Sequence, residues 1–416
     1  MKIKDVILTP SYSGFYFDDQ KAIKANNAKV DGFNLVGIPM TLGFDKIRIP
    51  GEAISVGLLL EDDSIAYGDC AAVQYSGAGG RDPLFLAKDF IPYIEEHLVE
   101  KLIGLDVSEF RKNAEKFDKL EINGKRIHTA IRYGLTQALL NATALTNRLT
   151  IAEVIRKEYE IDENFYEPIP VFTQSGDDRY NNADKMILKS SDVLPHALIN
   201  NISKIGENGE VLLNYVNWLK NRIVCLNNNE NYLPVIHLDV YGTIGQIFEN
   251  DYDKIVNYLL KLEQVAHPYK VRVEGPIDTY DKEGTMKGLS EITRKLNELN
   301  SNVEIVADEW CNTLEDIKEF ALNKAGHMIQ IKTPDLGGVN NVVEAILFCN
   351  QHNVGSYCGG TCNETDVSAK VTTAIAIACK ASQILAKPGM GVDEGYMIVK
   401  NEMNRIIALA NRRSRR

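Results

Sequence analysis

Val235-Ile236-His237-Leu238-Asp239, Val271-Arg272-Val273-Glu274-Gly275-Pro276 and Val303-Glu304-Ile305-Val306-Ala307-Asp308 are three short apolar runs, each reaching a carboxylate where the apolar pattern stops. A fourth, His327-Met328-Ile329-Gln330-Ile331-Lys332, ends on a lysine. Runs of this length, rich in Val and Ile and bounded by turn residues, read as buried strands of a parallel sheet. The carboxylates follow one another at intervals of roughly 35 residues, and helix-like segments such as 251–264 and 285–299 fill the gaps, which is the βα rhythm of a (β/α)8-type (TIM) barrel. In such a barrel the reacting side chains come from the C-terminal ends of several strands. Side chains two apart on a strand share a face, so Gln330 and Lys332 point inward together, as do His237 and Asp239.

Three carboxylates on one rim repel each other unless a cation sits among them. Oxygen ligands with no cysteine among them suit a hard divalent ion, and a site that leaves room for substrate and water suits Mg²⁺. A single strand-end aspartate is most often a loop cap or an ion-pair partner. Three in consecutive βα units, followed by a lysine, favour a metal site.

With 416 residues, 44% of them hydrophobic, the chain can bury a large core and is expected to form two domains. These are an N-terminal α+β capping domain over 1–165 and the barrel over 166–416. The net charge of −11 argues against nucleic acid and against anionic membranes as partners. The basic tail at 412–416 reads as solvated. Seven scattered cysteines imply no disulfide framework. Met1-Lys2-Ile3-Lys4-Asp5 opens into a strand-like segment with no signal-peptide core, and no run reaches membrane-spanning length. Cytoplasm is the expected compartment.

Along the capping domain, 54–60 and 65–70 flank Glu61-Asp62-Asp63-Ser64 as a β-hairpin. Helical patterns follow at 84–102, interrupted by Pro92, at 107–120 and at 128–149, and Thr150-Ile151-Ala152-Glu153 is a capping box opening another helix. The Pro-punctuated stretch 162–170 reads as a linker. The first barrel strand is expected at 171–174, the second at 186–189, the seventh at 355–358 and the eighth at 383–385, with a closing helix at 398–410. Ser76-Gly77-Ala78-Gly79-Gly80-Arg81-Asp82 lacks the Gly-Lys-Ser/Thr ending of a P-loop and reads as a mobile loop or, functionally, as a lid over the barrel mouth, with Gln74 as a substrate contact. Gly359-Gly360-Thr361-Cys362-Asn363 offers backbone N–H groups to an anion. Cys358 and Cys362, with no second pair, do not make a metal site.

Several long motifs carry a resemblance: Val-Gln-Tyr-Ser-Gly-Ala-Gly-Gly-Arg-Asp-Pro (73–83), His-Leu-Asp-Val-Tyr-Gly-Thr (237–243), Glu-Gly-Pro (274–276), Ala-Asp-Glu-Trp-Cys-Asn-Thr (307–313), Ile-Lys-Thr-Pro-Asp-Leu-Gly-Gly-Val-Asn-Asn (331–341) and Tyr-Cys-Gly-Gly-Thr-Cys-Asn-Glu-Thr (357–365). Together they resemble the methylaspartate ammonia-lyase family of the enolase superfamily, over essentially the whole chain. The resemblance implies that Asp239, Glu274 and Asp308 hold Mg²⁺, that Lys332 removes the proton from substrate C3, and that His196 stands on the opposite face. It implies that Gln174, Gln330, Thr361 and Cys362 bind substrate and that Phe172, Tyr357 and Leu385 form the pocket for its methyl group. The implied reaction is reversible β-elimination of ammonia from L-threo-3-methylaspartate to mesaconate through a metal-stabilised enediolate, in amino-acid degradation by glutamate fermentation. A homodimer and K⁺ as monovalent activator are further implications. One departure from the wider superfamily is visible: the expected second strand has no Lys-x-Lys pair, only Lys189-Ser190-Ser191.

The chemistry also stands on the residues. A proton beside a carboxylate is hard to remove because the charge spreads onto an already negative group, and Mg²⁺ as Lewis acid and template lowers that barrier. A lysine acts as base only when neutral, and burial beside cations lowers its pKa. Two other readings share the triad. An acid-sugar dehydratase or racemase would want a second base, and Thr361 with Cys362 suits a short amino diacid better than a sugar. A catalytically silent metal-binding barrel would tolerate loss of Lys332 from the rim.

Overall fold

In the computed structural model of the chain the described residues are 1–78, 80–161, 166–229 and 231–414. Eight parallel strands close into a barrel: Val171–Phe172, Val193–His196, Val235–Asp239, Val271–Glu274, Glu304–Ala307, Met328–Ile331, Gly355–Cys358 and Gln383–Leu385, the eighth pairing back onto the first. The register places Asp239 opposite Glu274 and Gln330 opposite Tyr357, so the strand ends that carry polar residues lie level on one rim. The barrel interior is a packed plug of Phe172, Val193, Val306, Met328, Tyr357 and Leu385. Outside it, the strands' other faces and the surrounding helices form the large core.

The second strand is a correction. Residues 181–188 form a helix instead (Asn181–Leu188), because Ala183, Met186 and Ile187 recur at helical spacing and bury one face while Asn182 and Lys185 stay outside it. The strand lies later, at Val193–His196, so Lys189-Ser190-Ser191 is the turn leading into it. The helix over 84–102 is also not cut at Pro92, which sits inside Ala87–His97; the break comes at Leu98.

Ahead of the barrel, Ile3–Asp18, Arg48–Leu60 and Ile65–Ala71 make an antiparallel sheet, with a small hairpin at Ala28–Asp31 and Asn34–Gly37 that sequence reading did not foresee. The helix Thr129–Asn147 packs on that sheet. A Cβ on Gly68 would lie 2.2 Å from the Gly134 carbonyl oxygen, and one on Gly134 would lie 2.3 Å from the Cys70 nitrogen, so this pair of glycines sets how closely helix and sheet approach. The linker's 162–165 lie outside the described residues, but Tyr166 is fixed by Asn411, whose Oδ1 accepts its backbone N–H at 3.0 Å. The last helix, Asp393–Ser414, carries the basic tail residues Arg412 and Arg413. Arg413 is solvent-exposed and pairs at the surface with Glu153, 2.6 Å from its Nη1. Arg415 and Arg416 are outside the described residues. Among the described residues no helix is long and apolar enough to cross a membrane, and all seven cysteines are free thiols.

Candidate active site

Asp239 and Glu274 end the third and fourth strands, and Asp308 follows the fifth. One carboxylate oxygen from each lies within 4.8 Å of the others, and all three residues are buried. Burial, reinforced by the charges of Asp239 and Asp308, holds the Glu274 carboxyl well above its ordinary range. Glu309, beside the cluster and not singled out from sequence, is pushed up to about 7 by the charge of Asp308 and then by burial. Three acids this close are an electrostatic liability until a cation joins them.

Lys332 follows the sixth strand, and its Nζ is 2.9 Å from Asp308 Oδ1. Burial alone would depress the ammonium, but Asp308 and Glu309 outweigh it and hold Lys332 above its ordinary value. Gln330, two residues earlier, donates from Nε2 to Glu274 Oε1 at 2.9 Å. Its own Oε1 is buried without a hydrogen-bond partner among the described residues.

Opposite Lys332 stands His196, the last residue of the second strand, with Nε2 3.1 Å from Asp239 Oδ2. His196, Ala197 and Leu198 all take left-handed backbone angles, φ 68°, 70° and 49°. Such angles are costly for residues with a Cβ and cluster where a scaffold forces a side chain into a working position. The backbone N–H of Ile199, bonded to the Asp239 carbonyl oxygen at 2.9 Å, ties down the far end of this turn.

Phe172 packs against His196, ring centroids 5.9 Å apart, and against Tyr357 at 5.4 Å, with Leu385 in the same cluster. Gln174 donates to the Gly389 carbonyl at 3.1 Å. Gln74 reaches over from the N-terminal domain: Asp18 accepts from its Nε2 at 2.7 Å, and its Oε1 is 3.8 Å from Cys362 Sγ. Burial pushes the Cys362 thiol up to about 12, so it is a neutral donor. The glycine-rich segment 76–82, expected from the sequence to act as a lid, is tied to the barrel by Arg81, whose guanidinium lies 2.9 Å from Asp335, three residues beyond Lys332.

In the glycine loop after the seventh strand, part of the backbone N–H set is already engaged within the protein. The Thr361 N–H already donates to Glu364 Oε2 at 3.2 Å, and a Cβ on Gly360 would come within 2.0 Å of that same oxygen. Glu364 is fully buried with Lys387, whose Nζ lies 2.7 Å from Glu364 Oε2 and 2.7 Å from the Gly359 carbonyl oxygen. The Tyr133 hydroxyl donates to Glu364 from the helix Thr129–Asn147, and Lys387 also donates to Thr333, next to Lys332, at 3.1 Å. Sequence reasoning missed this group. A lysine and a glutamate more than 20 residues apart, with no shared motif, give no signal until the fold joins them.

Residues 1–160 match the family model described as Methylaspartate ammonia-lyase N-terminus, and residues 164–412 the one described as Methylaspartate ammonia-lyase C-terminus. The methylaspartate ammonia-lyase of Clostridium tetanomorphum is 58% identical over 414 residues, covering 99% of this chain and 100% of that protein. A crystal structure of β-methylaspartase from the same organism, a Mg complex, superposes with a TM-score of 0.97 at 58% identity, over 99% of this chain and 100% of that one. The Citrobacter amalonaticus enzyme containing (2S,3S)-3-methylaspartic acid superposes with a TM-score of 0.96 at 53% identity, over 98% and 99% of the two chains. At 16% identity, a dipeptide epimerase from Enterococcus faecalis V583 shares the fold, with a TM-score of 0.61 over 95% of this chain and 90% of its own.

Proposed function

Because the chain belongs to the methylaspartate ammonia-lyase family of carbon–nitrogen lyases, we propose that it eliminates ammonia reversibly from L-threo-3-methylaspartate to give mesaconate. In this reading Asp239, Glu274 and Asp308 hold Mg²⁺. The donor set fits that ion: three hard oxygens from three strands converge within 4.8 Å, with no sulfur among the donors. A Mg²⁺ bound there would offset the carboxylate charge and supply Lewis-acid stabilisation for the negative charge that develops on the substrate carboxylate.

Lys332 is the base. With Asp308 and Glu309 offset, burial and then the nearby Arg81 push the amine toward its neutral form, against the smaller opposing charge of Asp335. Nζ takes the proton from C3, the freed electron pair becomes the C2–C3 double bond, and the C2–N bond breaks to release ammonia. His196 faces the reacting carbons from the other side. Gln74, Gln174, Gln330, Thr361 and Cys362 bind the polar groups of the amino diacid, and Phe172, Tyr357 and Leu385 enclose its methyl group. The reading extends to a homodimer, K⁺ as activator and cytoplasmic amino-acid degradation by glutamate fermentation, with residues 1–165 capping a barrel of 166–416.

The observation that carries the proposal is the convergence of three carboxylates beside one lysine, 2.9 Å from Asp308. Incubation with L-threo-3-methylaspartate and Mg²⁺ is expected to produce ultraviolet absorbance of the conjugated diacid and equimolar ammonia, both abolished by a chelator. No absorbance change with an intact, folded protein would refute it.

A further inference from the structure

We propose that Arg272, Gln383 and His237 form a chain of fixed hydrogen-bond polarity that makes His237 a positioning residue for Glu274. The inference rests on the cation site proposed above and concerns what sets the geometry of its central carboxylate.

The polarity can be read from the outer end inward. Arg272 is a donor at every nitrogen. Its Nε donates to Glu304 Oε2 at 2.7 Å, and its Nη1 lies 2.6 Å from the Gln383 amide. The Gln383 atom facing a guanidinium must be the carbonyl oxygen, which leaves the NH₂ group for the other side. There it meets His237 Nδ1 at 3.1 Å. A nitrogen that accepts from an amide carries a lone pair, so the ring proton of neutral His237 sits on Nε2. Nε2 lies 2.8 Å from Glu274 Oε2 and therefore donates to it.

Packing prevents the chain from reversing. His237, Gln383 and Glu274 are fully buried and Arg272 nearly so. The imidazole is stacked on Phe172, centroids 4.2 Å apart and planes at 11°, which opposes a ring flip. The chain leaves the fourth strand at Arg272, crosses the barrel through the eighth and third, and returns to the fourth two residues later at Glu274. There the other carboxylate oxygen takes the N–H of Gln330. Glu274 has one more rotatable bond than its aspartate neighbours, hence more freedom to lose. With one N–H on each oxygen, its plane is set and each oxygen keeps a lone pair free for a cation. Partners that orient a ligand in this way typically matter 10–100-fold in metal affinity.

The test uses the full-length protein without substrate, titrated with Mn²⁺ and followed by the loss of the free-ion EPR signal. His237→Leu removes the N–H at similar volume and is expected to weaken Mn²⁺ binding about 10–100-fold. His237→Gln, whose amide N–H can reach Glu274, is expected to recover most of that loss, which a purely packing role for the ring would not produce. Gln383→Leu leaves the imidazole but frees its tautomer, and is expected to weaken binding by a smaller factor. Parental affinity in both leucine variants overturns the inference, as does loss in His237→Leu with no recovery in His237→Gln. If His237→Leu does not fold, parental affinity in Gln383→Leu overturns it alone. Absence of Mn²⁺ binding by the parent would overturn the cation site itself, a different failure.

Discussion

Lys332 and Lys387 share one rim of the barrel, and their surroundings give them different work. Lys332 is open enough to meet a substrate, with 16% of its side chain exposed, and stands against the acid cluster. Lys332→Ala is expected to lower turnover of L-threo-3-methylaspartate by about 10²–10⁴-fold, the usual contribution of a general base, with the unfolding midpoint little changed; a variant of near-parental rate would remove the base assignment. Lys387 is sealed, and its Nζ is divided between Glu364, Gly359 and Thr333. Lys387→Met strands the Glu364 charge and is expected to cost about 3–5 kcal/mol in denaturant unfolding, whereas adding Glu364→Gln should return most of it. Equal stability of the single and double variants would show that the pair is not coupled. The sequence showed Lys332 because it ends an apolar run in register with three carboxylates. It placed His237 inward beside Asp239 but could not show what His237, Gln383 or Lys387 pairs with, because those partners lie on other strands and loops and obey no spacing.

Among the elements, the strands most legible beforehand were the third to the sixth, where valine and isoleucine runs stop at a charged residue. The second was misplaced for a physical reason. Val193-Leu194-Pro195-His196 has a proline and only one β-branched residue, so it is a weak strand by composition, while Met186-Ile187-Leu188 nearby is apolar enough to compete. Its turn of three left-handed residues is dictated by the barrel, not by local preference. The segment expected to act as a lid was legible by its glycines, but its latch was not. Arg81 joins it to Asp335, and Asp82 accepts from the Thr129 N–H at 2.7 Å where the capping helix begins. Arg81→Leu is expected to reduce kcat/KM roughly 10–10²-fold, the scale of an ångström-sized misplacement, and to speed proteolytic cleavage between residues 75 and 83. Unchanged kinetics and unchanged cleavage would mean the latch does not position the lid.

At the scale of the whole molecule, the acid cluster links stability to both cation and pH. In the metal-free protein Glu274 is held well above its ordinary carboxyl range, burial first and the neighbouring acids second. A raised carboxyl stabilises the fold fully below its unfolded pKa, and that contribution is lost as pH rises from there through the folded value. On the proposed reading Mg²⁺ would bind the ionised acids and act in the opposite sense, adding about 2.7 kcal/mol when present at 100 times its dissociation constant. The difference in unfolding temperature between protein with Mg²⁺ and protein with chelator is therefore expected to widen from pH 5 to pH 8; a constant or shrinking difference would mean that the cluster does not bind the ion. Barrel closure has a further consequence. Because Gln383–Leu385 must dock beside Val171–Phe172, the barrel rim is incomplete until residue 385 has left the ribosome. Premature termination upstream of that last strand would yield an open, inert product, while two separately expressed pieces that meet again could restore the ring.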